Sequence, residues 1–172
     1  HRIDISPKAV TADRIEQNVH FVETKDKRAL LSTLLGDKTM ARVLVFTRTK
    51  RQAQRVAEDL DERGFNSSPL HGDMAQVARE KALTRFRDGK LKVLVATDVA
   101  ARGIDVEGVT HVINYTCPED EKTYIHRIGR TGRAGASGIA VTFVDWPDVT
   151  RWKMINKALD LPYDEPQEIY ST

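Results

Sequence analysis

One cysteine, five histidines and no apolar run of bilayer length set the first limits on this chain of 172 residues. Cys117 has no partner for an internal disulfide, and scattered histidines with one thiol give no zinc-ligand spacing, so neither a disulfide scaffold nor a structural metal is expected. The ~20 consecutive apolar residues that cross a bilayer are missing, and His1-Arg2-Ile3-Asp4 is no apolar leader. A soluble, cytoplasmic protein with no membrane partner is the expectation. An excess of charge is lacking too: 27 lysines and arginines against 25 acids leave a net +2, too weak a field to gather a polyanion. Any nucleic-acid site must be local. The first residue is His1 rather than methionine, which reads as a fragment or a processed piece.

Two phosphate-binding signatures are also missing. No Gly-x-x-x-x-Gly-Lys-Ser/Thr loop occurs, no acidic pair stands at a strand end to hold Mg²⁺, and no Gly-x-Gly-x-x-Gly follows the first strand. The chain is therefore not expected to hydrolyse ATP by itself, and a dinucleotide-binding domain is disfavoured.

What is present is 40% hydrophobic residues, enough for one core in one globular unit. Short β-branched runs alternate with amphipathic stretches, which predicts a doubly wound α/β fold with a parallel sheet covered on both faces. The strands are expected at 17–22, 43–47, 67–70, 93–97, 111–115 and 138–144, none with strict alternation, as suits strands buried on both sides. Ala53, Val56, Ala57 and Leu60 mark a helix that Gly64 ends, with Thr49 and Gln52 at capping-box spacing. A following helix is expected to turn Ala75, Ala78, Ala82 and Phe86 inward, with Asp73 as N-cap. Residues 1–14 read as a linker, 15–145 as the domain and 146–172 as a helix and tail, with Trp146 and Trp152 both covering core.

The chemistry concentrates in four segments. In His126-Arg127-Ile128-Gly129-Arg130-Thr131-Gly132-Arg133-Ala134-Gly135, glycines and arginines each recur every third residue. Glycine lets backbone approach a ligand closely and the guanidinium fork suits phosphate oxygens, so this reads as a polyphosphate clamp as well as a solvated basic loop. It follows the helix expected at 119–128 and is placed near the carboxyl edge of the sheet, where such folds bind ligands.

In the second segment, Thr97-Asp98 leaves a buried strand; Asp98 suits an N-cap, while Asp105, after Gly103, is placed to accept hydrogen bonds from ribose hydroxyls. Gln76 and Arg79, after His71-Gly72-Asp73, share a helix face; Gln76 suits either a cap with Asp73 or a ligand, and Arg79 near the helix N-terminus opposes the dipole unless an anion sits there. Last, Thr47-Arg48-Thr49-Lys50-Arg51 places three basic residues at a helix start, reading either as solvated charge or as a site beside a phosphate. Four strand exits with basic or hydroxyl groups at one edge would face a phosphate-rich partner as one surface.

In sequence and in order these segments resemble the later motifs of the DEAD-box RNA helicases of superfamily 2. Val43 to Thr49 looks like motif IV, Gln76 with Arg79 like the Gln-x-x-Arg element, Ala96 to Asp105 like motif V and His126 to Arg133 like motif VI. The resemblance spans 15–144 and implies a RecA-like second motor domain of three layers. It implies that Arg130 and Arg133 act as catalytic arginine fingers on ATP and that Gly103 and Asp105 help bind that nucleotide. It implies further that Thr49, Gln76, Arg79 and Thr97 bind RNA largely without sequence preference, and that His126 and Arg127 contact the first RecA-like domain. That first domain would hold Mg²⁺ with the ATP, and a monomer is expected. One departure stands out: Thr116 occupies a place where family members commonly carry aspartate, leaving the contacts of that loop open.

Overall fold

The computed structural model describes residues 15–102, 108–132, 137–163 and 168–170. Seven parallel strands form one sheet, running β1 (Ile15–Val22), β2 (Val43–Thr47), β3 (Ser67–Leu70), β4 (Val93–Thr97), β5 (His111–Asn114), β6 (Gly138–Val144) and β7 (Glu168–Tyr170) in chain order. In space the order is β3-β4-β2-β5-β6-β1-β7. Between them lie α1 (Lys27–Leu35), α2 (Lys50–Glu62), α3 (Gln76–Arg87), α4 (Asp98–Ala101), α5 (Glu121–Ile128) and α6 (Val149–Ala158).

Every residue of β2 and β4 is buried, which is why their apolar runs do not alternate. Alternation survives in where each side chain points. Val43, Val45, Val93, Val95 and Ile113 join Leu30, Leu31, Leu35, Val56 and Leu60 of α1 and α2 on one face. Leu44, Phe46, Leu94, Ala96 and Val112 pack on the other face with Ala82 and Phe86 of α3 and with α4. There a neighbouring cluster joins Tyr124 and Ile128 of α5 to Trp152 and Ile155 of α6. Three layers result, as the sequence pattern predicts.

Several local expectations change. α3 begins one residue after Ala75, which caps it without a side-chain bond, while Asp73 pairs instead with Lys50 Nζ at 3.0 Å. Only Ala82 and Phe86 of the expected inward alanine and phenylalanine set are buried, because one short turn against the sheet is all that α3 covers. The segment after Val144 is no loose tail: Trp152 is wholly buried, its indole donates to the Tyr163 carbonyl at 2.9 Å, and β7 extends the sheet beside β1. Trp146, by contrast, is 84% exposed and covers no core.

Candidate functional site

The sheet register brings the hydroxyl-bearing strand ends together. Thr47 lies opposite Thr97, Leu70 opposite Ala96, and Phe46 between Ala96 and Asn114, so the exits of β2, β3, β4 and β5 sit side by side. Thr49 Oγ1 accepts the Gln52 amide at 3.1 Å and so caps α2, while the Thr49 carbonyl accepts from Thr47 Oγ1 at 3.2 Å. Only half of the capping box forms, because Gln52 Oε1 accepts from Thr116 Oγ1 at 2.8 Å. That bond settles what Thr116 does where aspartate is common.

Thr97, not Asp98, caps α4, its Oγ1 facing the Ala100 amide at 3.4 Å. This long contact still leaves the Thr97 hydroxyl proton as a donor. His71 at the β3 exit is buried; its Nδ1 accepts the Asp73 amide at 3.2 Å, which leaves Nε2 as the donor to Gln54 Oε1 at 2.8 Å. Gln76 is exposed and ties to Glu80 Oε1 at 3.0 Å rather than to a cap. Arg79 differs from its neighbours: its Nε is buried and has no hydrogen-bond partner among the described residues. A buried N–H of this kind is rare in native structures and marks a place for an acceptor from outside.

The arginine and glycine segment only begins at this edge, with Arg127. α5 starts near the β5 exit and must run back against the strands before β6 can begin parallel to them, so its end reaches the amino edge. There Thr131 Oγ1 donates to the Val109 carbonyl, just ahead of β5. Gly138, opening β6, lies so close to the Thr131 hydroxyl and the Gly132 amide that a Cβ would collide with both. Arg130, half-buried, instead lines a cleft of about 80 Å³ on the sheet face between α4 and α5, with Phe46, Asp98, Ala101, Arg102, Thr123, His126 and Arg127. Gly103, Asp105 and Arg133 lie outside the described residues.

Arg127 departs most from expectation. Expected at a domain interface, it is 2% exposed, and its guanidinium is spent inside the chain. Nε and Nη2 donate to the two Asp98 oxygens, each at 2.8 Å, while Nη1 donates to the Thr116 carbonyl at 2.7 Å and to Asn114 Oδ1 at 3.3 Å. Its plane faces the Phe46 ring at 5.2 Å. No sequence spacing announces this pairing, since Asp98 and Arg127 are separated by 29 residues and belong to different motifs.

Farther along the same edge, Arg48 Nη2 reaches the Cys117 carbonyl at 3.1 Å and Asp148 at 3.7 Å. Cys117 itself is fully buried, and burial above all pushes its thiol up to about 12. Beyond it, Lys27 Nζ meets Asp145 Oδ2 at 3.1 Å, and Thr24 Oγ1 donates to the same oxygen at 2.8 Å. Among the described residues no group of three histidine, cysteine or acidic side chains could hold a metal ion.

Residues 26–135 match the family described as the helicase conserved C-terminal domain. The chain superposes on E. coli DEAD-box protein SrmB, solved bound to regulator of ribonuclease activity A, with a TM-score of 0.81 and 36% identity over 91% of each chain. The chain belongs to the DEAD-box family, as its carboxy-terminal helicase domain. In Listeria monocytogenes, the ATP-dependent RNA helicase CshA is 50% identical over 83% of this chain, which spans 27% of that relative's length. A variant of the S. cerevisiae protein Dbp5, solved bound to RNA and ADP BeF3, superposes with a TM-score of 0.82 at 34% identity, over 97% of this chain and 44% of that one. The all-parallel, three-layer sheet described above is the RecA-like α/β domain of DEAD-box structures.

Proposed function

We propose that this chain is the second motor domain of an ATP-dependent RNA helicase, inactive until a first RecA-like domain closes on it. The observation that carries the reading is Arg79, whose buried Nε lacks an acceptor on the same edge as the Thr49 and Thr97 hydroxyls. A phosphodiester supplies that acceptor and reverses the unfavourable sign of an arginine in the first turn of α3. Thr49, Gln76, Arg79 and Thr97 then hold the backbone of single-stranded RNA. Phosphate contacts fix register without reading bases, so binding is largely independent of sequence and falls with salt. Support for RNA as the polymer comes from the similarity to CshA, an ATP-dependent RNA helicase, and from the RNA bound in the Dbp5 structure.

The cleft between α4 and α5 presents Arg130 to the nucleotide held by the first domain. Arg130, with Arg133, acts as an arginine finger on the γ-phosphate, a contribution worth ~10³ to 10⁵ in rate where fingers operate in phosphoryl transfer. Gly103 and Asp105 bind the ATP, Asp105 at the ribose. His126, exposed on α5, faces the first domain. Mg²⁺ is held with the ATP phosphates by that first domain. The protein works as a cytoplasmic monomer, and closure on ATP bends RNA so that it cannot stay paired.

RNA-stimulated ATP hydrolysis tests the proposal, measured for the chain alone and again joined behind a DEAD-box first domain. Activity is expected only in the joined protein, lost in Arg130→Ala with RNA binding retained. Hydrolysis by the isolated chain, or equal loss of both properties in Arg130→Ala, would overturn it.

A further inference from the structure

We infer that Asp98 and Arg127 form a positioning pair that holds the RNA-facing end of β4 in fixed relation to Arg130. The inference rests on the two-domain reading above and assigns a task to two residues that touch neither ligand in it.

The pair is placed for this task at both ends. Asp98 follows Thr97 directly, and Arg130 lies one helical turn beyond Arg127. Arg127 of α5 forks side-on onto Asp98 of α4 through two parallel bonds of 2.8 Å, and such a fork fixes orientation as well as distance. Its other donors anchor the fork to the sheet. Nη1 bonds the Asn114 side chain and the Thr116 carbonyl, and Asn114 Nδ2 in turn donates to Thr142 Oγ1 of β6 at 3.1 Å. With Phe46 of β2 under the guanidinium, one side chain ties the exits of β2, β4 and β5 and, through Asn114, β6.

A charge argument points the same way. Asp98 leaves 38% of its side chain exposed and lines the same cleft as Arg130, where a bare carboxylate would repel a polyphosphate approaching that arginine. Arg127, buried against it in the cleft wall, neutralises that charge and leaves Arg102 and Arg130 to set the sign of the cleft.

If the pair positions, a weaker fork should loosen Arg130 while both ligands still bind. Misplacement by about 1 Å costs on the order of 100-fold in rate. The test uses the joined two-domain protein with Arg127→Lys, which keeps the charge and loses the fork, and Asp98→Asn, which keeps the shape and loses the charge. Three readings are taken: the melting temperature, the affinity for single-stranded RNA without nucleotide, and kcat for RNA-stimulated hydrolysis with the RNA concentration at half-stimulation. The expected result is kcat down on the order of 100-fold, RNA affinity unchanged, and folded protein at the assay temperature. An unchanged kcat in both variants overturns the pair, and so does a fall in kcat that only tracks loss of fold or of RNA affinity. Arg130→Ala, measured alongside, separates the two ideas: if it retains full activity, the arginine-finger reading fails, whatever the pair does.

Discussion

Two buried cations stand at the carboxyl edge, a few strands apart, and they are used differently. Lys27 and Asp145 are both enclosed, with side-chain exposures of 5% and 7%, and a single ammonium meets one carboxylate oxygen. Asp145 Oδ1 is left without a hydrogen-bond partner. Arg127 has a partner that reaches water, and its four hydrogen bonds go to acceptors on three residues. An ammonium is a point charge and neutralises; a guanidinium is a plane of donors and orients. The comparison explains why a pair that looks tighter by burial has less to say about the site.

The largest effect is expected on the neutralising side. Lys27→Met leaves the Asp145 charge enclosed, at a cost of about 3–5 kcal/mol at pH 7 in urea unfolding, whereas adding Asp145→Leu should return most of it. The pH dependence should change sign as well. In the parent protein burial opposes the Asp145 charge, but the Thr24 hydroxyl and the Lys27 ammonium outweigh it and hold this carboxyl below its ordinary value. A depressed carboxylate contributes stability above its unfolded value of about 3.9, and acidification through the folded value removes that contribution. Without Lys27, burial dominates and lifts the folded value above the unfolded one, so the variant should gain stability as pH falls through that raised value toward about 3.9, before the range in which the parent loses it.

Arg127→Lys comes next, at about 1–3 kcal/mol in the isolated chain, because the Asn114 and Thr116 oxygens lose a donor while Asp98 keeps an opposite charge and access to water. A loss as large as that of Lys27→Met would erase the distinction drawn between the two pairs. Thr49→Ala should cost about 1 kcal/mol through the α2 cap, read by thermal melting. Smallest is Arg63→Ala, which breaks the exposed pair with Asp59 for about 0.3–0.5 kcal/mol. That change sets the floor for what an ion pair in water contributes to this chain.

The same contrast marks how far the sequence could be read. Strands β2, β4, β5 and β6 and the α2 stripe are written in local patterns, because burial on both faces demands largely apolar runs and a one-sided helix repeats its apolar residues every turn. α3 was overread: an alanine scores as apolar whether or not a neighbour covers it, and Ala75 and Ala78 stay exposed. The direction of α5 decides where the arginines go, and a motif read as a string carries no direction, which is why the whole segment was placed at one edge although it runs from Arg127 at the carboxyl edge to Thr131 near the amino edge. Arg127 was misassigned for a related reason, since a guanidinium bound to residues 11, 13 and 29 positions away leaves no periodic trace. β7, three residues long, was missed because so short a strand has too few side chains to show a pattern.

The lone thiol has a practical use. Cys117 is sealed under the loop that Arg48 crosses, and with its thiol held near 12 by burial it is almost wholly protonated at neutral pH. Maleimides and other thiolate-selective reagents should pass it by, so a cysteine engineered at an exposed position such as Val77 would take a dye alone in an otherwise unaltered chain. A fluorophore there, paired with one on the first domain, would let single molecules report each opening and closing of the cleft directly.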